Sequence, residues 1–188
     1  MSGVVTDSLA TVEECRRVFG NVPFLSVLDA ADMATLAPMV HARDFIPGTT
    51  IFYEDDETDS VYFIASGSVE VFKSDREGKK LHLVVLREAG VLGEMGLLNR
   101  MPRTATARTL TAARLLRLNG EEFNQALQQS NPAALRLVLG FARVMAQRLS
   151  EMDMKLFDLF QSDPENPRWR NLVDFKQGLL AQWPVNHW

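Results

Sequence analysis

Cysteine is almost absent from this 188-residue chain: Cys15 stands alone, so no internal disulfide can form. A lone thiol suits a reducing compartment. Histidine is scarce as well, and His41, His82 and His187 fall at no metal-ligand spacing, so they read as surface or strand residues. Positive charge is not in excess. Lys and Arg number 20 against 24 Asp and Glu, a net charge of −4, which argues against a broad nucleic-acid surface. Long apolar runs are missing, and none approaches the ~20 residues of a membrane span. Met1–Ala10 lacks a basic stretch followed by an apolar core, so no secretory signal is expected. There is no Walker loop, no nucleophile elbow and no convincing His/Cys pair, so the chain does not read as an enzyme. A soluble, cytoplasmic binding protein with no metal and no membrane partner is the expectation.

What is present is a change of texture along the chain. Residues 1–40 read as a helical segment. Thr11-Val12-Glu13-Glu14 offers an N-cap with an acid three residues on. Met33, Leu36 and Val40 follow at helical spacing until Pro38 ends or kinks the run. Residues 41–130 are rich in short β-type runs: His41–Phe45, Thr50–Tyr53, Ser60–Ala65, Ser68–Lys73, Lys80–Leu86, Thr104–Ala107 and Ala112–Leu118. Pro47-Gly48, Gly67 and Asp75–Gly78 supply turns between them. Many short strands at close spacing indicate a barrel, sandwich or jelly-roll-like closure. A short helix is predicted from Asn119 or Gly120 to about Gln129.

Residues 131–161 read as one long helix, opened by Asn131 as N-cap and Pro132 at the first helical position. Leu135, Val138, Ala142, Met145, Leu149, Met152, Leu156 and Leu159 alternate steps of three and four without a break. That is the register of a coiled-coil seam. Leu137, Phe141 and Val144 form a second face, available to pack on the β-rich body. The spacing predicts a homodimer through the 135–159 seam; the competing arrangement buries both faces within one subunit. Each fully buried Leu or Met stabilises by roughly 1.5–3 kcal/mol, enough in sum to hold two chains together. Arg148 and Asp153 flank the seam where they can pair across a parallel dimer, worth about 0–1 kcal/mol and so orienting more than stabilising.

The densest chemistry lies in Gly93-Glu94-Met95-Gly96-Leu97 followed by Pro102-Arg103-Thr104-Ala105. Glycine allows close approach of a ligand, and main-chain N–H groups at the start of a helical turn hold an anion. Arg103 adds a charge-assisted contact to phosphate oxygens. A carboxylate beside such a site repels the anion unless it points at a donor, and a sugar hydroxyl is such a donor for Glu94. The predicted ligand is anionic at one end and carries a sugar hydroxyl at the other.

These runs resemble the phosphate-binding cassette of the cyclic nucleotide-binding domain family, the module of catabolite activator proteins, cyclic-nucleotide-dependent kinases and gated channels. The similarity extends from about Pro23 to about Lys155, through Phe45-Ile46-Pro47-Gly48, Ile51-Phe52 and Val61–Val69. It implies an α+β fold: the family's jelly-roll-like β-roll with flanking N-terminal helices and a long C-terminal dimerisation helix. It also implies that the cyclic phosphate sits on the amides around Glu94 and Met95, with Arg103 neutralising it, Thr104 donating a hydroxyl and Ala105 completing the motif beside Gly93. Glu94 takes the ribose 2′-hydroxyl. Leu83 and Leu86 form an apolar wall for the base, and the long helix near Met152 and Asp153 covers it. Thr104 and Asp153 suit guanine donors, which tilts the base toward cGMP over cAMP, although an adenine amino group also suits Asp153. Two turns depart from the family pattern: Asp55 stands where a glycine is usual, and Ala89-Gly90 replaces a common Gly-Asp pair.

The resemblance by itself would imply a transcription factor with a winged helix-turn-helix after the long helix. The short tail instead makes the expectation a stand-alone dimeric receptor for a cyclic nucleotide that signals to an unknown downstream protein by movement of the long helix and tail. Residues 162–188 form that tail, opened by Asp163-Pro164-Glu165-Asn166-Pro167 and carrying Leu172–Trp183, Trp169 and Trp188 as an output surface or a cap on the roll. The tail is shorter than the ~40 residues an unstapled domain needs, so no DNA-binding domain and no nucleic-acid partner are expected. The other reading is a ligand-independent assembly module with a non-binding pocket, acting through its seam alone.

Overall fold

The computed structural model describes residues 3–99 and 101–162. They fall into two compact units, the first ending at Met145 and the second beginning at Ala146. The tail expectations for 163–188, including Trp169, Trp188 and the Leu172–Trp183 segment, lie outside the described residues.

In the first unit, strand β1 (Val4–Leu9) precedes helices α1 (Val12–Asn21) and α2 (Ala30–Leu36). The β-rich stretch then runs as β2 (Val40–Phe45), β3 (Thr50–Phe52), β4 (Ser60–Ser66), β5 (Val69–Ser74), β6 (Lys80–Leu86) and β7 (Val91–Leu92). The short helix α3 (Glu94–Asn99) interrupts it before β8 (Thr106–Thr109) and β9 (Ala113–Asn119), followed by α4 (Gly120–Gln128) and α5 (Pro132–Ser162). Two antiparallel sheets result, ordered β1-β2-β9-β4-β7 and β3-β8-β5-β6. This is the α+β, jelly-roll-like β-roll with flanking helices that the sequence led us to expect.

Strand β1 is the element that the pattern of residues 1–40 does not predict. Five of its six residues are exposed, so it carries no apolar alternation to read. It is held as an edge strand by the antiparallel ladder to β2 and by polar contacts, including Asp7 to Arg43 at 2.7 Å. The helix starts follow their caps. Thr11 Oγ1 accepts from the Glu14 N–H at 3.1 Å, and Asn119 Oδ1 accepts from Glu121 and Glu122. Asn131 Oδ1 accepts from Ala133 at 2.9 Å ahead of α5. Each such cap is worth about 0.5–2 kcal/mol. Helix α2 ends at Leu36, and Pro38 sits in the 3-10 turn Ala37–Met39 that follows.

Strand β4 explains where the core sits. Val61 and Phe63 join the larger cluster, with Phe19, Met33, Leu116, Leu118, Phe123, Leu137 and Phe141, between the five-stranded sheet and the helices. Tyr62 and Ile64 join the smaller cluster inside the roll, with Phe45, Val69, Leu92, Ala107 and Leu115. A strand buried on both faces reads as a continuous apolar run, and so Val61–Ile64 shows no alternation. The Phe63 ring lies 4.4 Å from Phe19 and 6.0 Å from Phe141, tying the roll to α1 and α5. Leu137, Phe141 and Val144 are buried, whereas Leu135 and Leu139 on the same helix are about half exposed. In the second unit α5 continues to Ser162, with Leu149, Met152, Met154 and Phe157 exposed.

Candidate functional site

The cassette is built from β7, a glycine turn and α3. Gly93 has φ +84°, a conformation in which a side chain is strained, and a Cβ there would lie 1.9 Å from Arg103 Nη1. Gly96 is equally confined, since a Cβ would lie 2.2 Å from Thr58 Oγ1. Glu94 opens α3 and is buried, Met95 is exposed, and Leu97 anchors the helix in the larger core cluster. The far arm of the cassette is fastened to the 53–56 turn by two main-chain bonds. Arg103 N donates to Asp56 O at 2.8 Å, and Asp55 N donates to Arg103 O at 2.9 Å.

These bonds aim Arg103 inward. Its side chain is only 2% exposed. The guanidinium carbon lies 4.2 Å from the Phe52 ring centre and 6.0 Å from that of Tyr62. Nη2 donates to Ser60 Oγ at 3.2 Å and to Asp59 Oδ1 at 3.4 Å. Nε and Nη1 are buried without a partner. Burial pulls the Arg103 pKa below the usual arginine value, with Tyr62 and Asp59 opposing in part. An arginine nevertheless stays charged. Two buried donors on a fixed cation are an unmet demand for an acceptor, costing about 1–3 kcal/mol each until one arrives.

Asp59 is shared. Its Oδ2 accepts from Arg117 Nη2 at 2.6 Å, and its Oδ1 accepts from the Ser60 hydroxyl at 2.6 Å. Burial pushes its pKa up, but Ser60, Arg117 and then Arg103 outweigh this and hold it below the usual carboxylate range.

The other site residues named from sequence are placed as follows. Thr104 is exposed beside Arg103, and Ala105 is buried. Leu86 pairs with Val69 and packs half-buried against the cluster inside the roll. Leu83 sits at an irregularity in the β5–β6 ladder and is 48% exposed. Met152 and Asp153 belong to the second unit, on α5. Phe52, Asp59, Ser60, Tyr62 and Arg117 went unread in this role, because they come from β3, β4, β9 and the loop before β4, all apart from the motif in sequence. The two departing turns keep a glycine-like backbone: Asp55 has φ +68° and Ala89 has φ +66°. Among the described residues, no group of three or more His, Cys, Asp or Glu is placed to hold a metal ion, and no helix is long and apolar enough to cross a membrane.

Residues 42–130 match the family described as the cyclic nucleotide-binding domain. The cyclic AMP receptor protein of Thermus thermophilus is 30% identical over 161 residues, covering 84% of this chain and 72% of the receptor. The chain belongs to the cyclic nucleotide-binding domain family. A potassium channel of Oryza sativa subsp. japonica is 31% identical over 117 residues, which is 62% of this chain but only 13% of the channel. The crystal structure of a cyclic nucleotide-binding domain from Methylobacillus flagellatus superposes with a TM-score of 0.71, covering 82% of this chain and 87% of that one. At 15% identity that likeness speaks for the fold alone.

Proposed function

We propose that this protein is a receptor for a 3′,5′-cyclic nucleotide and that it signals as a homodimer. The observation that carries the reading is Arg103: a buried guanidinium against the Gly93 turn, with Nε and Nη1 unpartnered. A cyclic phosphodiester supplies what they lack, one negative charge and acceptor oxygens. Amides at the start of α3 add to the anion's hold, and Glu94 accepts from the ribose 2′-hydroxyl. Leu86, with Leu83 at its rim, offers the base an apolar wall. The attraction of a unit-charge pair at 4 Å grows from about 1 kcal/mol in water to about 4 at an effective dielectric of 20, so the burial around Arg103 favours tight capture. Thr104 suits guanine, whereas the Thermus relative is named for cyclic AMP; both nucleotides belong in the test.

The exposed apolar face of α5 supports self-association: Leu135 and Leu149 are 50% and 57% exposed and belong to the 135–159 seam. A nucleotide that binds two positions of this helix unequally shifts their balance, and a downstream protein reads the shift. The buried free thiol of Cys15 fits a cytoplasmic setting. The reading is of binding without a catalysed step, so nucleotide recovered after incubation should be intact by chromatography.

Titration calorimetry with cAMP and cGMP on wild type and Arg103→Ala tests the receptor. Heat with wild type that disappears in the variant supports it. Silence from both nucleotides on wild type leaves the second reading, an assembly module, which the exposed seam favours. Sedimentation of Leu149→Glu tests the seam, with a shift from dimer to monomer expected and an unchanged monomeric wild type as the contrary result.

A further inference from the structure

We propose that Arg117, on β9, is a positioning residue for ligand capture: by engaging Asp59 it keeps the charge of Arg103 available to the phosphodiester. This rests on the reading of Arg103 as the phosphate ligand. Two arginines share one acid, and they share it unequally. Asp59 lies 2.6 Å from Arg117 and 3.4 Å from Arg103. The Arg117 side chain is 14% exposed and that of Asp59 is 65% exposed, so the guanidinium side of this pair is shielded while water screens the carboxylate side.

Charge balance gives the pairing its consequence. Arg103, Asp59 and Arg117 together leave one positive charge uncompensated, which matches the single negative charge of a cyclic phosphodiester. Without Arg117, Asp59 neutralises Arg103 on its own, and an arriving phosphate is an excess negative charge in a buried place. Glu94, buried beside the Gly93 turn, and Asp56, whose field reaches Arg103, contribute equally with and without Arg117, so the difference of one unit of charge stands. Geometry points the same way. Arg103 now gives Asp59 only Nη2, at long range, and keeps Nε and Nη1 for another acceptor. An Asp59 freed from Arg117 has Oδ2 to offer beside the Oδ1 that it shares with Ser60, and so can draw in more of the guanidinium. Arg117 also lines a recess of about 640 Å³ with Thr58, Asp59 and Asn119, and neither Arg103 nor the Gly93 turn is part of that lining, so Asp59 is the residue that connects Arg117 to Arg103.

The test is a double-mutant cycle read by calorimetry with cAMP and cGMP, on wild type, Arg117→Gln, Asp59→Asn and the double variant. Arg117→Gln is expected to weaken binding about tenfold, the size of coupling seen between residues of one ion-pair network. In the Asp59→Asn background the same change is expected to have almost no effect, because the competing acid is gone. Arg117→Lys, which keeps the cation, is expected to retain most of the affinity, and it guards against a misfolded glutamine variant. A loss that persists undiminished in the Asp59→Asn background means that Arg117 acts through its own field, and overturns this inference alone. Wild type that binds neither nucleotide overturns the receptor reading, and this inference with it.

Discussion

Gly93 and Arg103 occupy one another's space: the point where a Cβ of residue 93 would lie is 1.9 Å from Arg103 Nη1. The turn and the cation therefore depend on each other. Gly93→Ala must both hold an alanine at φ +84° and push the guanidinium aside. A strained backbone position of this kind costs about 1–3 kcal/mol. Chemical denaturation is expected to show a loss in that range, together with weakened nucleotide binding by calorimetry. Full retention of both would show that the turn is free of Arg103.

Arg103 itself is expected to separate function from stability. Its burial leaves two donors unpartnered, and Asp59 keeps Arg117 when Arg103 is removed. Replacing a buried, poorly paired charge by an apolar side chain of similar length is often neutral or stabilising. Arg103→Met should therefore unfold at a denaturant concentration no lower than wild type while losing cyclic-nucleotide binding. A destabilisation of several kcal/mol would make Arg103 a structural residue.

The turn at Asp55 bears a left-handed backbone with a side chain present, at φ +68°. For an ordinary residue this conformation costs about 1–2 kcal/mol, and glycine avoids the cost. Asp55→Gly is expected to be as stable as wild type or more so, by up to about 1 kcal/mol, and Asp55→Val less stable by about 1–2 kcal/mol. Unfolding curves giving the reverse order would contradict the assignment of strain there.

Asp32 and Arg136 link α2 to α5 through two bonds, at 2.9 and 2.5 Å. The Arg136 guanidinium holds the buried Asp32 carboxyl below the usual carboxylate range, against the upward push of burial. Because the folded value is the lower one, this stabilisation is complete above the ordinary aspartate value of about 3.9 and is lost as pH falls through the depressed value. The stability difference between wild type and Asp32→Asn should be largest near neutral pH and shrink at strongly acid pH. A difference independent of pH would remove the ion pair from the stability of the free protein.

How far the sequence could be read depended on which residues carried the signal. Helix starts at Thr11, Asn119 and Asn131 were legible because a cap is a local interaction between near neighbours. Strand β6 appears with the bounds expected, Lys80–Leu86, whereas β8 lies two residues later than expected, at Thr106–Thr109. The loop before β8 is held by Arg103 and Asp56, a contact across the chain that no local pattern encodes. Strand β1 was invisible because an exposed edge strand needs no apolar face. At the site, Gly93, Glu94 and Arg103 were legible as a motif, while the Phe52 ring and the Asp59–Arg117 pair were not. Those partners meet Arg103 only after the roll closes.

The central claim, that one buried guanidinium and a glycine turn hold a cyclic phosphodiester, is tested most directly by titrating the wild-type protein with cAMP, cGMP and 5′-AMP. The expected result is saturable binding of at least one cyclic nucleotide, one per chain, and weaker binding of the linear monophosphate, whose extra charge and open geometry the site does not match. Equal affinity for the linear and cyclic forms, or no binding of either cyclic nucleotide, would contradict it.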